Sequence, residues 1–291
     1  MNIQDLLKSS RTAIFLDGAM GTQLGQMGLE MGGRNNVTNP DAVVSVHKKY
    51  VAAGVDLLIT NTLTMNRFNL ESHNVAVDFR EVNLAGARLA KQAAGDDRLV
   101  LGDMSSTGKM LKPYGQLHEE EAFATFKEQA AVLAEGGVDG IIIETMFDLR
   151  EAVLAVRAAR EACDLPVIAS ISFNTADNEG RTVMGNTAKQ CAEALTEAGA
   201  VAMGANCGSV DPFEMARLVA MFREATDIPI IAQPNAGKGS MVDGELVFDM
   251  TPADFARGVQ ECVKAGARFV GGCCGTSPAH IQAMVELIGR D

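Results

Sequence analysis

The chain has 291 residues, 47% of them hydrophobic and 21% charged, which suits one large soluble domain spanning residues 1–291. Its formal net charge of −12 excludes nucleic acid and anionic membrane surfaces as partners, since both need basic patches. No apolar stretch approaches the roughly 20 residues that cross a bilayer, and six scattered cysteines are too few for a disulfide-stapled secreted fold.

The first ten residues predict a short amphipathic helix and lack the basic-then-apolar order of a leader, so a cytoplasmic chain with reduced thiols is expected. An apolar run over 12–16 follows and ends at Asp17. Similar runs recur at 55–60, 99–103, 138–144, 166–173, 200–206, 228–233 and 268–273. Between them lie segments of helical period, including 119–135, 149–163, 187–198, 212–225 and 252–265. Continuous apolar strands alternating with helices indicate a parallel sheet buried on both faces. Eight such units predict a (β/α)₈ barrel, a fold of about 250 residues in its usual form. A doubly wound sheet would place G-x-G-x-x-G after its first strand. Here Asp17-Gly18-Ala19-Met20-Gly21-Thr22 has glycines three apart, so the barrel is preferred.

An internal repeat supports this reading. Gly54, Gly137, Gly199 and Gly266 each stand between a helix and a strand, where a left-handed glycine ends the helix. The seventh residue after each glycine is Asn61, Glu144, Asn206 and Cys273, and the eighth is Thr62, Thr145, Cys207 and Cys274. Barrel active sites form at the C-terminal ends of the strands. The register therefore brings Cys207 to the same rim as Cys273 and Cys274. Asp17, Asn61, Asp103, Glu144, Asn174 and Asn235 end the other strands.

The pair in Gly271-Gly272-Cys273-Cys274-Gly275 is poorly placed for a mutual disulfide, which needs its Cα atoms apart and suitably aimed. Buried small side chains are the bland reading of a Cys-Cys pair. Cys207 at the matching strand end favours a thiolate metal centre instead, with Zn²⁺ the commonest suitable ion. No fourth strong ligand ends a strand. Asn235 offers a replaceable oxygen, and an open fourth position marks a catalytic zinc. Three thiolates leave zinc a poor activator of water but able to hold a substrate thiol as thiolate, which points to S-alkylation, above all methyl transfer. Cys163, Cys191 and Cys262 lie on helices beside alanines and read as core, while His47, His73, His118 and His280 are scattered and read as surface or core.

The loop Asp17-Gly18-Ala19 is a tight turn that also suits a substrate carboxylate at its N–H groups, with Asp17 and Glu144 accepting from a substrate ammonium. Glu144 has an alternative as a cap of the next helix. Lys238 and the glycine-rich loops near the C-terminus suggest a phosphate site, which two neighbouring thiolates would repel.

Leu16-Asp17-Gly18-Ala19-Met20-Gly21-Thr22, Thr60-Asn61-Thr62, Gly204-Ala205-Asn206-Cys207, Pro234-Asn235-Ala236-Gly237 and Gly271-Gly272-Cys273-Cys274-Gly275-Thr276 together resemble the homocysteine S-methyltransferase family. Within it they look most like the homocysteine-binding module of cobalamin-dependent methionine synthases. The resemblance covers essentially the whole chain. It implies a (β/α)₈ barrel with catalytic zinc on Cys207, Cys273 and Cys274, and the homocysteine sulfur taking the fourth position otherwise filled by Asn235. It also maps the amino-acid site onto Asp17, Gly18, Ala19 and Glu144. The product would be methionine.

Two loops depart from the family. Asn61-Thr62-Leu63 stands where Asn-Thr-Phe is frequent, and Gly102-Asp103-Met104-Ser105-Ser106-Thr107-Gly108 where Gly-Asp-Ile-Gly-Pro-Thr-Gly is usual. The Asp-x-His-x-x-Gly motif of corrinoid domains is missing, and so is a second barrel for a folate. The methyl group is therefore expected from a small donor such as a betaine or S-methylmethionine, or from methylcobalamin on a separate protein. Competing readings are a corrinoid-linked component with another thiol acceptor and a non-catalytic zinc- or thiol-binding barrel.

Overall fold

The computed structural model describes residues 2–242 and 245–289. Its strands are β1 (Ile14–Phe15), β2 (Leu57–Ile59), β3 (Leu99–Met104), β4 (Gly140–Met146), β5 (Val167–Ile171), β6 (Ala202–Asn206), β7 (Ile230–Gln233), the hairpin pair β8 (Ser240–Val242) and β9 (Glu245–Val247), and β10 (Ala267–Val270). The hairpin pairs only with itself. The other eight form one parallel sheet in the order β1-β10-β7-β6-β5-β4-β3-β2, and a parallel bridge from Leu16 to Leu57 joins its two ends. The expected (β/α)₈ barrel is the fold.

Strand parity builds the interior. Leu99 and Leu101 on β3, Ile142 on β4, Ile168 on β5, Ala202 on β6, Ile231 on β7 and Phe269 on β10 form one buried cluster. Ile3 and Leu6 join that cluster from the helix Ile3–Lys8, which closes the N-terminal end of the barrel. The intervening residues, such as Val100, Ile141 and Ile143, pack outward against the helices. Each large side chain removed from water in this way contributes roughly 1.5–3 kcal/mol. Followed toward the C-terminal ends, the inward parity reaches Asp103, Glu144, Ser170, Asn206 and Gln233, all buried. The barrel is thus apolar at one end and polar at the other.

The repeat glycines behave as expected, with φ of 96° at Gly54, 85° at Gly137, 94° at Gly199 and 114° at Gly266. Several strand ends differ from expectation. The run 268–273 ends as a strand at Val270, and Gly271 N still donates to Ala232 O of β7 at 3.1 Å before the backbone turns to the loops beside it. Gly272 N donates to Asp17 O at 3.0 Å and Cys273 N to Pro234 O at 2.9 Å. The run 138–144 instead extends to Met146, with an irregularity between Ile143 and Met146 in its pairing with β5. Glu144 lies inside this strand, and Asp148 caps the next helix by accepting from Arg150 N, so the capping role considered for Glu144 is overturned. Among the described residues no helix is long and apolar enough to cross a membrane.

Leu6 is 2% exposed and seals the barrel floor far from the polar end. Leu6→Ala is expected to cost about 2–4 kcal/mol in denaturant unfolding, the range for a buried Leu truncation. It should leave metal affinity at the opposite end unchanged in a chelator competition.

Candidate active site

Cys207 follows β6, and Cys273 and Cys274 follow β10. Their three sulfurs lie within 4.8 Å of one another, with Cys207 Sγ and Cys274 Sγ at 3.8 Å. Zinc–sulfur bonds of about 2.3 Å in a tetrahedron place sulfurs about 3.8 Å apart, so the spacing fits the ion. Backbone bonds hold the three loops together: Cys207 N donates to Gln233 O at 3.2 Å, and Ala236 N to Cys274 O at 3.0 Å. Among the described residues this is the one cluster with metal-binding spacing.

The sulfurs alone are electrostatically frustrated. Hydrogen bonds from Cys273 and Cys274 pull the Cys207 thiol far below its ordinary value. Cys273 is pushed well up, first by its bonds to Cys207 and Cys274 and then by burial. Cys274 is likewise raised by Cys207. The three thiols cannot all ionise at this spacing unaided, and full ionisation needs a cation. Asn235 is 3% exposed beside them. Its Nδ2 donates to Gly208 O at 3.1 Å, while its Oδ1 has no partner. A buried amide oxygen without a donor suits a fourth, displaceable ligand.

A cavity of about 330 Å³ adjoins the sulfurs, lined by the Asp17–Thr22 loop together with Asn61, Asp103, Glu144, Gln233, Cys273 and Cys274. Three buried carboxylates face one another here. Asp17 Oδ2 accepts from Ile59 N at 3.0 Å, yet burial and then Glu144 raise its pKa well above the ordinary range. Asp103 is raised by burial, then by Glu144 and Asp17. Burial, then Cys207, lifts Glu144 to about 7. Asp103 Oδ1 and Glu144 Oε2 have no hydrogen-bond partner. A cavity with this surplus of acceptors suits a cationic group.

Gly18 is required by packing, because a Cβ there would meet Thr276 Oγ1 at 2.6 Å and Tyr50 OH at 3.1 Å. The Ala19 N–H is already engaged by Thr276 Oγ1 at 3.0 Å, so Ala19 shapes the loop through that bond.

The structure does not gather every residue singled out in the sequence. Asn174 is exposed, and Lys238 pairs with Glu214 at 2.7 Å and does not line this cavity. Cys191 and Cys262 are buried among apolar neighbours, and Cys163 is half-buried at a helix end. His118 is the N-cap of the helix Glu119–Glu135, and His280 stands in the first turn of the helix Pro278–Ile288. His47 carries more than its sequence suggested: it is fully buried, its Nδ1 lies 4.0 Å from Asp17 Oδ2, and neither ring nitrogen has a hydrogen-bond partner. Asp103 and Asn206 were visible as strand-end residues, but no sequence signal showed that the first joins a carboxylate cluster or that the second bonds across the barrel.

The family model described as Homocysteine S-methyltransferase matches residues 14–288. The chain belongs to the homocysteine S-methyltransferase family. Among curated relatives of the family, methionine synthase of Mycobacterium leprae is 29% identical over 308 aligned positions, covering 98% of this chain and 25% of that protein. Methionine synthase of Mycobacterium tuberculosis is 30% identical over 295 positions, covering 94% of this chain and 24% of that protein. The chain thus spans about a quarter of the length of these relatives. The homocysteine methyltransferase MmuM of Escherichia coli shares the fold. Its oxidized form superposes with a TM-score of 0.79 at 22% identity, covering 99% of this chain and all (100%) of that one. Its metallated form gives 0.77 at 20% identity, covering 96% and 97%.

The carboxylates set a pH dependence. Glu144 binds its proton more tightly in the native state than at its ordinary value of 4.5. Its contribution to stability is therefore fully present below about 4.5 and lost as pH rises through about 7, on the order of 3 kcal/mol. Asp17 and Asp103 act in the same direction. Cys207 and His47 are shifted down and act in the opposite direction, so the carboxylate contribution is read by comparison: metal-free Glu144→Gln should gain melting temperature relative to wild type as pH rises from about 5 to about 8.

Proposed function

We propose that this chain transfers a methyl group to the sulfur of homocysteine, giving methionine, with Zn²⁺ held by Cys207, Cys273 and Cys274. The observation that carries the reading is the thiol triad at the edge of a carboxylate-lined cavity, with the unpartnered Asn235 oxygen beside it. When bound, zinc supplies a Lewis-acid site that keeps the acceptor thiol deprotonated near neutral pH, where a free thiol of pKa about 8.5 is mostly protonated. The free cysteines suit a reducing compartment such as the cytoplasm.

The chain's own residues select and orient the acceptor. Asp17 and Glu144 receive the substrate ammonium, which offsets their charge and their burial. The loop Asp17-Gly18-Ala19, braced by Thr276 and by Tyr50 OH on Ala19 O at 2.9 Å, holds the amino-acid end of the substrate. Asn235, whose Oδ1 has no hydrogen-bond partner, would be the displaceable oxygen beside the three sulfurs. A sulfur–methyl bond forms as the donor–methyl bond breaks, and the thiol proton has by then left to solvent.

For the donor we favour a methyl-corrinoid carried by a protein. The loops that follow the barrel strands carry exposed apolar residues, among them Met31, Met110, Tyr114, Val183, Met241 and Val242. Such a rim suits a macromolecular surface docking over the mouth. The match to methionine synthases, which extend well beyond this segment, points the same way.

Purified protein loaded with zinc and given homocysteine should form methionine with methylcobalamin or a methylated corrinoid protein. Turnover only with a betaine or S-methylmethionine would reassign the donor, and turnover in metal-free protein would end the zinc reading. Cys273→Ala should lose zinc and activity together. Asp17→Asn and Glu144→Gln should each raise KM for homocysteine about 10- to 100-fold with a smaller change in kcat, as expected for a lost charge-assisted hydrogen bond.

A further inference from the structure

We infer that Asn206 is a positioning residue that couples the substrate carboxylate Glu144 to the thiol triad. Its side chain is fully buried at the inward-facing end of β6. Oδ1 accepts from Thr145 N and from Ser170 Oγ, both at 2.8 Å. Nδ2 donates to Thr145 Oγ1 at 2.8 Å and points a second hydrogen toward Cys273 Sγ at 3.8 Å. The carboxamide thus clamps Thr145 through both its backbone and its hydroxyl while touching a sulfur of the triad.

Two residues beside this amide are held in unusual backbone conformations. Thr145 has φ 59° and Cys207 has φ 54°, in the left-handed region that non-glycine residues rarely enter and β-branched ones most rarely. They occupy the same place in the repeat, the eighth residue after Gly137 and Gly199. At Thr145 the turn falls within the irregularity between Ile143 and Met146, directly after Glu144, which lines the cavity. At Cys207 the turn brings Sγ to 3.8 Å from Cys274 Sγ. Such conformations persist only where surrounding bonds over-determine them, and Asn206 makes those bonds for one and adjoins the other in sequence.

An amide is suited to the sulfur contact. It donates to Cys273 Sγ without a proton to lose, so it draws charge from the sulfur whatever the pH. A carboxylate in its place would keep the acceptors for Thr145 N and Ser170, lose both donors and set a negative charge against the triad. Asn206 therefore acts through Glu144 and Cys273, not on the reacting atoms.

The inference rests on the zinc and homocysteine reading above, and its test separates the two. Zinc affinity of the full chain is measured by chelator competition at pH 7, with the sulfur-to-metal charge-transfer band of the Co²⁺ form and KM for homocysteine, for wild type, Asn206→Asp, Thr145→Gly and the double variant. Asn206→Asp should bind zinc at least about tenfold more weakly, the usual effect of removing a hydrogen-bond partner of a ligand. It should also shift the Co²⁺ band and raise KM. Thr145→Gly, in which glycine takes the left-handed conformation without strain, should retain zinc affinity within about threefold. Because a glycine at that position needs no clamp, the double variant should show the zinc defect of Asn206→Asp but a KM rise smaller than the product of the single effects. Asn206→Asp binding zinc as tightly as wild type with an unshifted band, or fully multiplicative KM effects, would overturn the coupling alone. A wild-type chain that takes up no metal would overturn the zinc reading and this inference with it.

Discussion

Three thiol sulfurs within 4.8 Å of one another cannot all be ionised without a cation among them. Much of the polar end of the barrel follows from that constraint. The loops after β6, β7 and β10 are tied to one another by backbone bonds that bring the sulfurs together, and Asn206 lends one of them a donor. Cys207 is the sulfur whose ionisation the other two favour, through their hydrogen bonds to it. A thiophilic ion held by the three sulfurs would resolve the repulsion, and the unpartnered Asn235 oxygen beside them would suit a weak further ligand.

The carboxylates pose a second electrostatic problem beside the first. Asp17, Asp103 and Glu144 are buried with raised pKa values, and no lysine or arginine lines the cavity they share. An acceptor carrying both a thiol and an ammonium answers both problems at once, the sulfur at the triad and the amino group at the carboxylates. Holding these groups ready for it costs stability in the ligand-free protein, a common pattern where binding groups are organised in advance.

The fold was largely legible because parity and repetition survive in one dimension. Apolar strands alternating with helices, and a glycine ahead of every second strand, specify a barrel before any contact is known. The same counting from Gly199 and Gly266 placed Cys207 level with Cys273 and Cys274. What counting cannot reach is direction across the barrel. Thr145 and Cys207 share a register position, but their left-handed backbones arise from tertiary hydrogen bonds that no local propensity encodes. Glu144 also had a lesser reading as a helix cap, a role that Asp148 fills. His47 looked like one of four scattered histidines, since its closeness to Asp17 spans a helix and a strand.

The most direct measurement is X-ray absorption at the zinc edge of loaded protein, before and after homocysteine. Three sulfurs with one oxygen or nitrogen are expected before, and four sulfurs after, as the substrate thiol replaces Asn235. A sulfur count that stays at three when the protein is saturated with homocysteine would contradict an exchangeable fourth position.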